Sequence, residues 1–137
     1  MLQFHHSGFI VRDIDSWEAK MVFEEKIADV IDPIQKARLC LYTHFAGDSF
    51  IELIQPLDEE AFTWKSLQKA GNHFNHFCYS VDTLEEVSNF AVANKLIPVL
   101  GPVKALLFDG KQVIFYYTRN KQIIEFLITR NENQDNS

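Results

Sequence analysis

Cysteine and long apolar runs are both scarce in this chain of 137 residues. Only Cys40 and Cys78 are present, without a CxxC spacing, which excludes the disulfide framework of a small secreted domain. No apolar run approaches the roughly 20 residues that a membrane-spanning helix needs. The N-terminal sequence also lacks the basic region and apolar core of a signal peptide. We therefore expect a soluble protein in a reducing, cytoplasmic setting, with no membrane partner.

Basic residues are fewer than acidic residues. The chain has 13 Lys and Arg against 19 Asp and Glu, which gives a net charge of −6. A general nucleic-acid binder needs a basic stripe, so this balance argues against a nucleic-acid partner. A small anionic substrate is still compatible with a few local cations, for which Arg12, Arg38, Lys104 and Arg119 are the candidates.

Apolar residues are plentiful, and their pattern is repeated along the chain. They make up 47% of the residues, with twelve Phe, which is enough for the core of one domain. An alternating strand pattern at 6–11 opens with histidine and precedes an acidic, amphipathic segment, and the same order returns at 76–81. The sequence Ile-Glu-Leu-Ile at 51–54 likewise parallels Ile-Glu-Phe-Leu at 124–127. Offsets of 70 (76 − 6) and 73 (125 − 52) residues indicate two similar halves.

Both halves have the predicted element order β-α-β-β-β. The first comprises strand 3–11, a helix at 16–27 capped by Asp13 or Asp15, a weakly marked strand 30–34, and strands 37–45 and 49–55. A helix at 58–71, closed by Gly71, leads to strand 73–81, helix 83–96, strand 97–100, loop 101–110 and strands 112–118 and 122–129, with a two-residue turn at Arg119-Asn120. This order predicts an α+β fold in a single domain of residues 1–137. Module one spans about 3–57, the connecting helix 58–71, module two about 72–129 and a frayed tail 130–137.

The repeat identifies four polar residues in apolar strands: His6 and Glu52 in the first half, His76 and Glu125 in the second. A lone strand-end histidine is ordinarily structural, and a lone Glu can face solvent on an edge strand. Four such residues at equivalent positions instead predict a metal site, because a carboxylate in an interior strand is costly unless it is paired or metal-bound. Two imidazoles and two carboxylates suit one divalent ion such as Zn, Ni, Co, Fe or Mn. The ion would polarise a substrate carbonyl, and Glu125, with Glu52, would move the neighbouring proton.

Strand alternation predicts which side chains share the face of these four residues. Those neighbours are small or apolar, which leaves space for a ligand. The residues that we expect to line a substrate cavity are Gly8, Phe50, Cys78, Ser80 and Tyr116. The remaining histidines have no repeat partners, and we interpret them as structural or exposed.

The stretches 6–14, 51–57, 75–82 and 124–127 resemble the vicinal oxygen chelate superfamily, which includes glyoxalase I, methylmalonyl-CoA epimerase, extradiol dioxygenases and bleomycin-resistance proteins. The resemblance extends over about residues 4–129 and is greatest to methylmalonyl-CoA epimerase. It implies that the two modules form an open, half-barrel-like mixed sheet around one cavity. It also implies that His6, Glu52, His76 and Glu125 are the ligands of one metal ion. Extradiol dioxygenases use two His and one carboxylate, so the additional Glu52 favours the isomerase and lyase branch.

Two departures from the epimerase pattern leave the substrate open. Some epimerases of this kind use a second carboxylate as a base on the opposite face of the substrate, and the matching stretch 38–41 has none. The segment 101–110 also differs from the usual epimerase loop.

Three functions are compatible with the resemblance. The first is a metal-dependent isomerase or lyase acting on an acyl-CoA or thiol adduct. The second is a metal-free binding protein of the bleomycin-resistance type, for which the aromatic residues Phe108, Phe115, Tyr116 and Tyr117 would serve. The third is an iron extradiol dioxygenase. In each case we expect a homodimer, because exposed edges of a half-barrel commonly pair.

Overall fold

A computed structural model of the protein describes residues 1–130. Its strands are β1 (Gln3–Ile10), β2 (Lys26–Asp32), β3 (Ala37–Thr43), β4 (Phe50–Pro56), β5 (His73–Val81), β6 (Ile97–Ala105), β7 (Lys111–Tyr117) and β8 (Ile123–Ile128). Its α-helices are α1 (Ile14–Glu18), α2 (Trp64–Ala70) and α3 (Leu84–Ala93). The predicted tail, apart from Arg130, lies outside the described residues. No helix within residues 1–130 is long and apolar enough to cross a bilayer.

The chain divides into two units. The N-terminal unit comprises His6–Asn75, and the C-terminal unit comprises Met1–His5 together with the described chain from His76 to Arg130. Each unit carries three strands after its first helix, so the predicted α+β class and its β-α-β-β-β order are confirmed.

The N-terminal unit has the strand order β2-β3-β4-β1, in which β1 is parallel to β4 and the other pairings are antiparallel. One face of this sheet packs beneath α1. The buried residues of that packing are Val11, Ile14, Cys40, Tyr42 and Leu53. Helix α1 begins at a cap in which the Asp13 side chain accepts the Asp15 backbone N–H.

Helix α1 is much shorter than the helix predicted at 16–27. The apolar positions Met21 and Phe23 still pack on the core, but from irregular chain rather than from a helix. The Phe23 ring lies 4.7 Å from the Tyr42 ring, and the Glu24 N–H donates to the Thr43 carbonyl. At Glu24 and Glu25, backbone pairing with Thr43 at the end of β3 therefore takes the place of helical hydrogen bonds. Strand β2 begins at Lys26, four residues earlier than predicted (30 − 26).

The C-terminal unit has the strand order β5-β8-β7-β6, in which β5 is parallel to β8 and the other pairings are antiparallel. Helix α3 covers one face, and its N-terminus is capped by the Thr83 side chain, which accepts the Glu86 N–H. The buried residues beneath α3 are Val81, Val87, Ala91, Ile114, Tyr116, Phe126 and Ile128. Gly71, predicted to close the connecting helix, is the C-cap of α2, although that helix starts only at Trp64.

Strand β6 corrects the prediction of a short strand followed by a loop at 101–110. The strand continues to Ala105 because irregular register on either side of Leu100 accommodates the Gly-Pro sequence. Gly101 has φ +101°, and a Cβ there would lie 2.7 Å from the Val113 carbonyl oxygen, so glycine is required. Pro102 is tolerated because β6 is an edge strand of this unit and has no partner beyond β7 among the described residues.

Candidate metal centre

The first pair of predicted ligands lies on β1 and β4 of the N-terminal unit. In the parallel register of these strands His6 is aligned with Phe50 and Gly8 with Glu52, so all four residues share one face. The His6 Nε2 atom lies 3.2 Å from the Glu52 Oε1 atom. The two side chains are only 0% and 4% exposed, which places an imidazole and a carboxylate together in a dry environment.

The second pair lies on β5 and β8 of the C-terminal unit and has the same arrangement. His76 is aligned with Ile123 and Cys78 with Glu125, again on one face. The His76 Nε2 atom lies 3.0 Å from the Glu125 Oε1 atom, and the side chains are 1% and 3% exposed. In both units the residue that is aligned with the glutamate lies two positions after the histidine. The repeat seen in the sequence is therefore also a repeat of side-chain geometry.

The two glutamates have matching neighbours across the sheet. On one side each is aligned with a small residue, Gly8 for Glu52 and Cys78 for Glu125. On the other side each is aligned with a buried apolar residue, Leu41 and Phe115 respectively. The two glutamates therefore have the same kinds of neighbour, a small residue on one side and a buried apolar residue on the other.

Tyr116 was expected to line the cavity, and its position corrects that expectation. It packs beneath α3 with its ring 5.8 Å from that of Phe126, on the face opposite Glu125. The predicted two-residue turn at 119–120 would have placed the even-numbered residues of β7, which include Tyr116, on the same face as Glu125. The observed hairpin instead closes with Tyr117 aligned to Ile123, and this shift by one residue exchanges the two faces. Phe115 takes the place beside Glu125, and its ring is 6.0 Å from that of His76.

The other residues predicted to line the cavity lie on the expected faces. Phe50 is half-buried and shares the His6 face, and Cys78 is fully buried between His76 and Ser80 in the alternation of β5. The Ser80 hydroxyl donates to the Gln3 carbonyl at 3.4 Å. Ser80 is thus a half-buried polar group on the same face as His76.

The four side chains fit a divalent metal ion by their chemistry. Each is buried and offers one imidazole nitrogen or carboxylate oxygen as a ligand atom. In each unit Nε2 and Oε1, which are the usual metal-binding atoms of these residue types, face each other at about 3 Å. Nitrogen and oxygen donors of this kind suit Zn, Ni, Co, Fe and Mn. A buried His–Glu ion pair without metal is the structural alternative, and it carries the full desolvation cost of the carboxylate.

Arg38, one of the candidate cations for an anionic substrate, is committed to a structural network. Its guanidinium donates to Asp29 through two nitrogens at 3.0 and 2.8 Å and to Asp15 at 2.9 Å. The guanidinium beside Asp29 holds the pKa of that carboxyl well below its usual range. Lys26 also pairs with Asp29, at 2.9 Å. Sequence patterns missed this network because its members are brought together by the β2–β3 register and by α1.

The histidines without repeat partners are outside both pairs. His73 Nε2 lies 2.7 Å from the Ser66 hydroxyl, and its Nδ1 lies 2.7 Å from the Gly71 carbonyl, so this ring supports the end of α2. His44 is exposed, with its Nδ1 accepting the Ala46 N–H. The His5 ring contacts Phe108 edge-on.

Comparison with solved structures shows the fold. The chain is similar to a hypothetical protein from Bacillus halodurans C-125, with 23% identity, a TM-score of 0.79, and 95% of this chain and 96% of that chain covered. It is similar to methylmalonyl-CoA epimerase from Mycobacterium tuberculosis, with 19% identity, a TM-score of 0.79, and 96% and 91% coverage. A variant epimerase from Streptomyces coelicolor, solved with 2-nitronate-propionyl-CoA, matches with 18% identity, a TM-score of 0.76, and 92% and 93% coverage.

Comparison of sequences shows the family. No curated protein matches the chain. The family profile described as the glyoxalase/bleomycin resistance protein/dioxygenase superfamily matches residues 5–115, which is most of the chain. The protein therefore belongs to the glyoxalase/bleomycin resistance protein/dioxygenase superfamily.

Proposed function

We propose that this protein is a metal-dependent isomerase or lyase that transfers a proton next to the carbonyl of a small thioester or thiol adduct. The observation that carries the proposal is the duplicated pair, in which a buried histidine and a buried glutamate face each other at 3.2 Å in one unit and 3.0 Å in the other. We propose that His6, Glu52, His76 and Glu125 together hold one divalent ion.

The cost of burying the glutamates supports a functional role for the pairs. Moving a carboxylate out of water costs several kcal/mol, and a nearby imidazole repays this only in part. A core that needed only stability would gain more from apolar residues of similar volume at positions 52 and 125. Two such pairs at equivalent positions are better explained by a shared ligand than by two independent stabilising contacts.

In the proposed mechanism the chain holds the substrate carbonyl near the pairs and moves one proton. A bound divalent ion supplies a Lewis acid that polarises the carbonyl and acidifies the neighbouring C–H bond. A carboxylate oxygen of Glu125 accepts that proton and returns it, and Glu52 is the second acid–base group. His6 and His76 remain neutral ligands. The buried apolar neighbours Leu41 and Phe115 limit the access of water to the two carboxylates.

The position of β3 bears on the second carboxylate base that some epimerases use. Arg38 contacts Asp29 and Asp15, and Cys40 lies in the core beneath α1. The face of β3 that is aligned with Glu52 carries Leu41 instead. We therefore assign both acid–base roles to Glu52 and Glu125 rather than to a residue of β3.

Solvent deuterium exchange tests the proposal. With the metal-loaded protein and methylmalonyl-CoA in D₂O, we expect deuterium to enter at the carbon next to the thioester, and we expect this exchange to fall at least about a hundredfold in Glu125→Gln, a loss typical of a removed acid–base group. His44→Ala is the matched control, because it removes an exposed imidazole outside both pairs. Exchange in the unsubstituted protein no faster than in Glu125→Gln would remove this substrate. If no other acyl-CoA or glutathione adduct exchanged either, the isomerase assignment would fail.

We also propose a homodimer. Strand β2 is an edge strand of the N-terminal unit and is paired only with β3 among the described residues. Ile27 and Ile31 on β2 are 46% and 63% exposed, which leaves apolar surface beside open backbone groups. Sedimentation equilibrium should give twice the chain mass of 15.9 kDa for the unsubstituted protein and the single mass for Ile31→Lys. A monomeric unsubstituted protein would contradict this proposal without affecting the metal site.

A cytoplasmic location is the remaining proposal. The chain has only two cysteines, Cys40 and Cys78, and both are buried. So low a cysteine content is typical of proteins from reducing compartments. Fractionation of cells that produce the protein tests this, and recovery mainly in an oxidising compartment would contradict it.

A further inference from the structure

A surface cavity in the N-terminal unit contains none of the four residues proposed to hold the metal ion. It has a volume of about 610 Å³, and its lining includes Arg12, Trp17, Lys20 and Asn72. Arg12 follows His6 by six residues of mainly extended chain, so their Cα atoms are separated by up to about 20 Å. The volume is in the range of small-molecule sites, about 300–1,000 Å³, and far exceeds that of a single inorganic anion.

The cavity is positively charged in an acidic protein. Arg12 and Lys20 contribute two cationic groups, and neither forms an ion pair among residues 1–130. By contrast, the three cationic residues of β2, β3 and their connecting turn all pair with carboxylates. They are Lys26, Lys36 and Arg38. The lining also contains one carboxylate, that of Asp13, which caps α1 by accepting the Asp15 N–H and offsets one of the two positive charges. The cavity therefore keeps a net positive charge, whereas the chain carries −6.

The remaining lining groups add shape and direction to this charge. The Asn72 side-chain oxygen accepts the Arg12 backbone N–H at 2.7 Å, which fixes the backbone at Arg12 and leaves the Asn72 amide hydrogens available as donors. The Trp17 side chain is 37% exposed, so an indole surface is accessible beside the cations. Cationic and amide donors favour phosphate, and an exposed indole favours a planar heteroaromatic ring.

We propose that this cavity binds a nucleoside phosphate, with the phosphates at Arg12 and Lys20 and the base stacked on Trp17. Neither feature alone would identify the ligand: a positively charged site without a ring would fit any small anion, and an exposed indole without charge would fit any aromatic compound. The nucleoside phosphate is the chemistry that uses both, and the cavity is large enough for it.

Isothermal titration with ADP tests the site directly. We expect saturable binding with Kd below about 1 mM and one ADP per chain. Arg12→Gln and Trp17→Ala should each weaken binding at least about fivefold, since a charge-assisted hydrogen bond or a stacked base contributes at least about 1 kcal/mol. Lys111→Ala is the control, because it removes one exposed positive charge from the C-terminal unit.

The two parts of the site can be tested separately with adenosine, which lacks the phosphates, and with pyrophosphate, which lacks the base. Trp17→Ala should weaken adenosine binding and leave pyrophosphate binding unchanged, and Arg12→Gln should do the reverse. This pattern would not arise from a general loss of folding, which a thermal melt of each variant also checks. No saturation by ADP, or equal weakening by Lys111→Ala and Arg12→Gln, would overturn the proposal.

Two sources of the nucleotide can be distinguished. If the site holds the nucleotide end of a CoA thioester, ADP should compete with methylmalonyl-CoA in the exchange assay, and Arg12→Gln should raise KM at unchanged kcat. If it holds a free nucleotide, ADP and CoA should bind together. ADP binding should survive both a chelator and His76→Ala, so failure of the proposed metal chemistry would leave this test intact.

Discussion

The His76 Nε2 atom lies 3.0 Å from the Glu125 Oε1 atom, although the two residues are not aligned in the pairing of β5 with β8. Glu125 is aligned with Cys78, and the histidine reaches it diagonally from two residues earlier. His6 and Glu52 repeat this diagonal at 3.2 Å. The duplication therefore preserves both the strand order and the close approach of an imidazole nitrogen to a carboxylate oxygen.

Metal binding should stabilise the folded protein through these pairs. At a free metal concentration of 100 times Kd we expect the free energy of unfolding to rise by about 2.7 kcal/mol, because the ion binds the native state preferentially. Glu52→Gln keeps the shape of the side chain and removes its charge, so the rise should be smaller by more than about 1 kcal/mol. Urea unfolding with and without EDTA measures both values, and an equal rise in Glu52→Gln would argue against Glu52 as a ligand.

The Asp29 network should make stability depend on acid pH. Arg38 holds the pKa of Asp29 well below its ordinary value of 3.8, so the stabilisation is complete above that value and is lost as pH falls towards the folded-state pKa. Because the Asp29 side chain is 38% exposed, solvent screening limits the contribution to about 0.5–1 kcal/mol. We expect the difference in unfolding free energy between the unsubstituted protein and Asp29→Asn to shrink as pH is lowered from about 5 to about 2.

The matched control for this pH dependence is Asp48→Asn, in an exposed turn that precedes β4. It should leave the acid limb of the stability curve unchanged. A difference between the unsubstituted protein and Asp29→Asn that stays constant with pH would refute the linkage.

The hydroxyl of Tyr42 should contribute to the attachment of α1. It donates to Glu18 Oε1 at 2.8 Å, and burial, followed by this hydrogen bond, raises the pKa of Tyr42. Tyr42→Phe keeps the ring in the core and removes the donor, so we expect a loss of about 1–2 kcal/mol in the free energy of unfolding. Tyr117→Phe, on an exposed ring, should cost less than about 0.5 kcal/mol. Equal costs for the two variants would contradict a specific role for the Glu18 contact.

The repeat in the sequence was sufficient to single out the four residues that form the two pairs, although not the contact within each pair. Alternation along β1, β4, β5 and β8 assigned each histidine and glutamate to the face where it lies, because a period of two leaves no ambiguity within a single strand. The helix and loop assignments were weaker. The segment 19–25 has helical spacing, but its end, Glu24 and Glu25, pairs with Thr43 of β3. Strand β6 passes through a Gly-Pro sequence that ordinarily indicates a loop.

Two features could not be predicted from local patterns. The face of Tyr116 depends on the β7–β8 register, which the loop at 118–122 sets through the Thr118 N–H bond to the Gln122 carbonyl. The cavity beside Trp17 depends on Asn72, which is 60 residues from Arg12 in sequence. Both depend on pairings between distant or irregular segments, and no periodicity encodes them.

The stoichiometry of metal binding tests the central claim most directly. One ion held by both pairs requires one equivalent per chain after purification without chelator, and it requires that His6→Ala in one unit and His76→Ala in the other each reduce the metal content below about a tenth of an equivalent. His44→Ala should retain the full equivalent. Two ions per chain, loss in only one of the two variants, or less than about a tenth of an equivalent in the metal-supplemented unsubstituted protein would contradict a single shared metal centre.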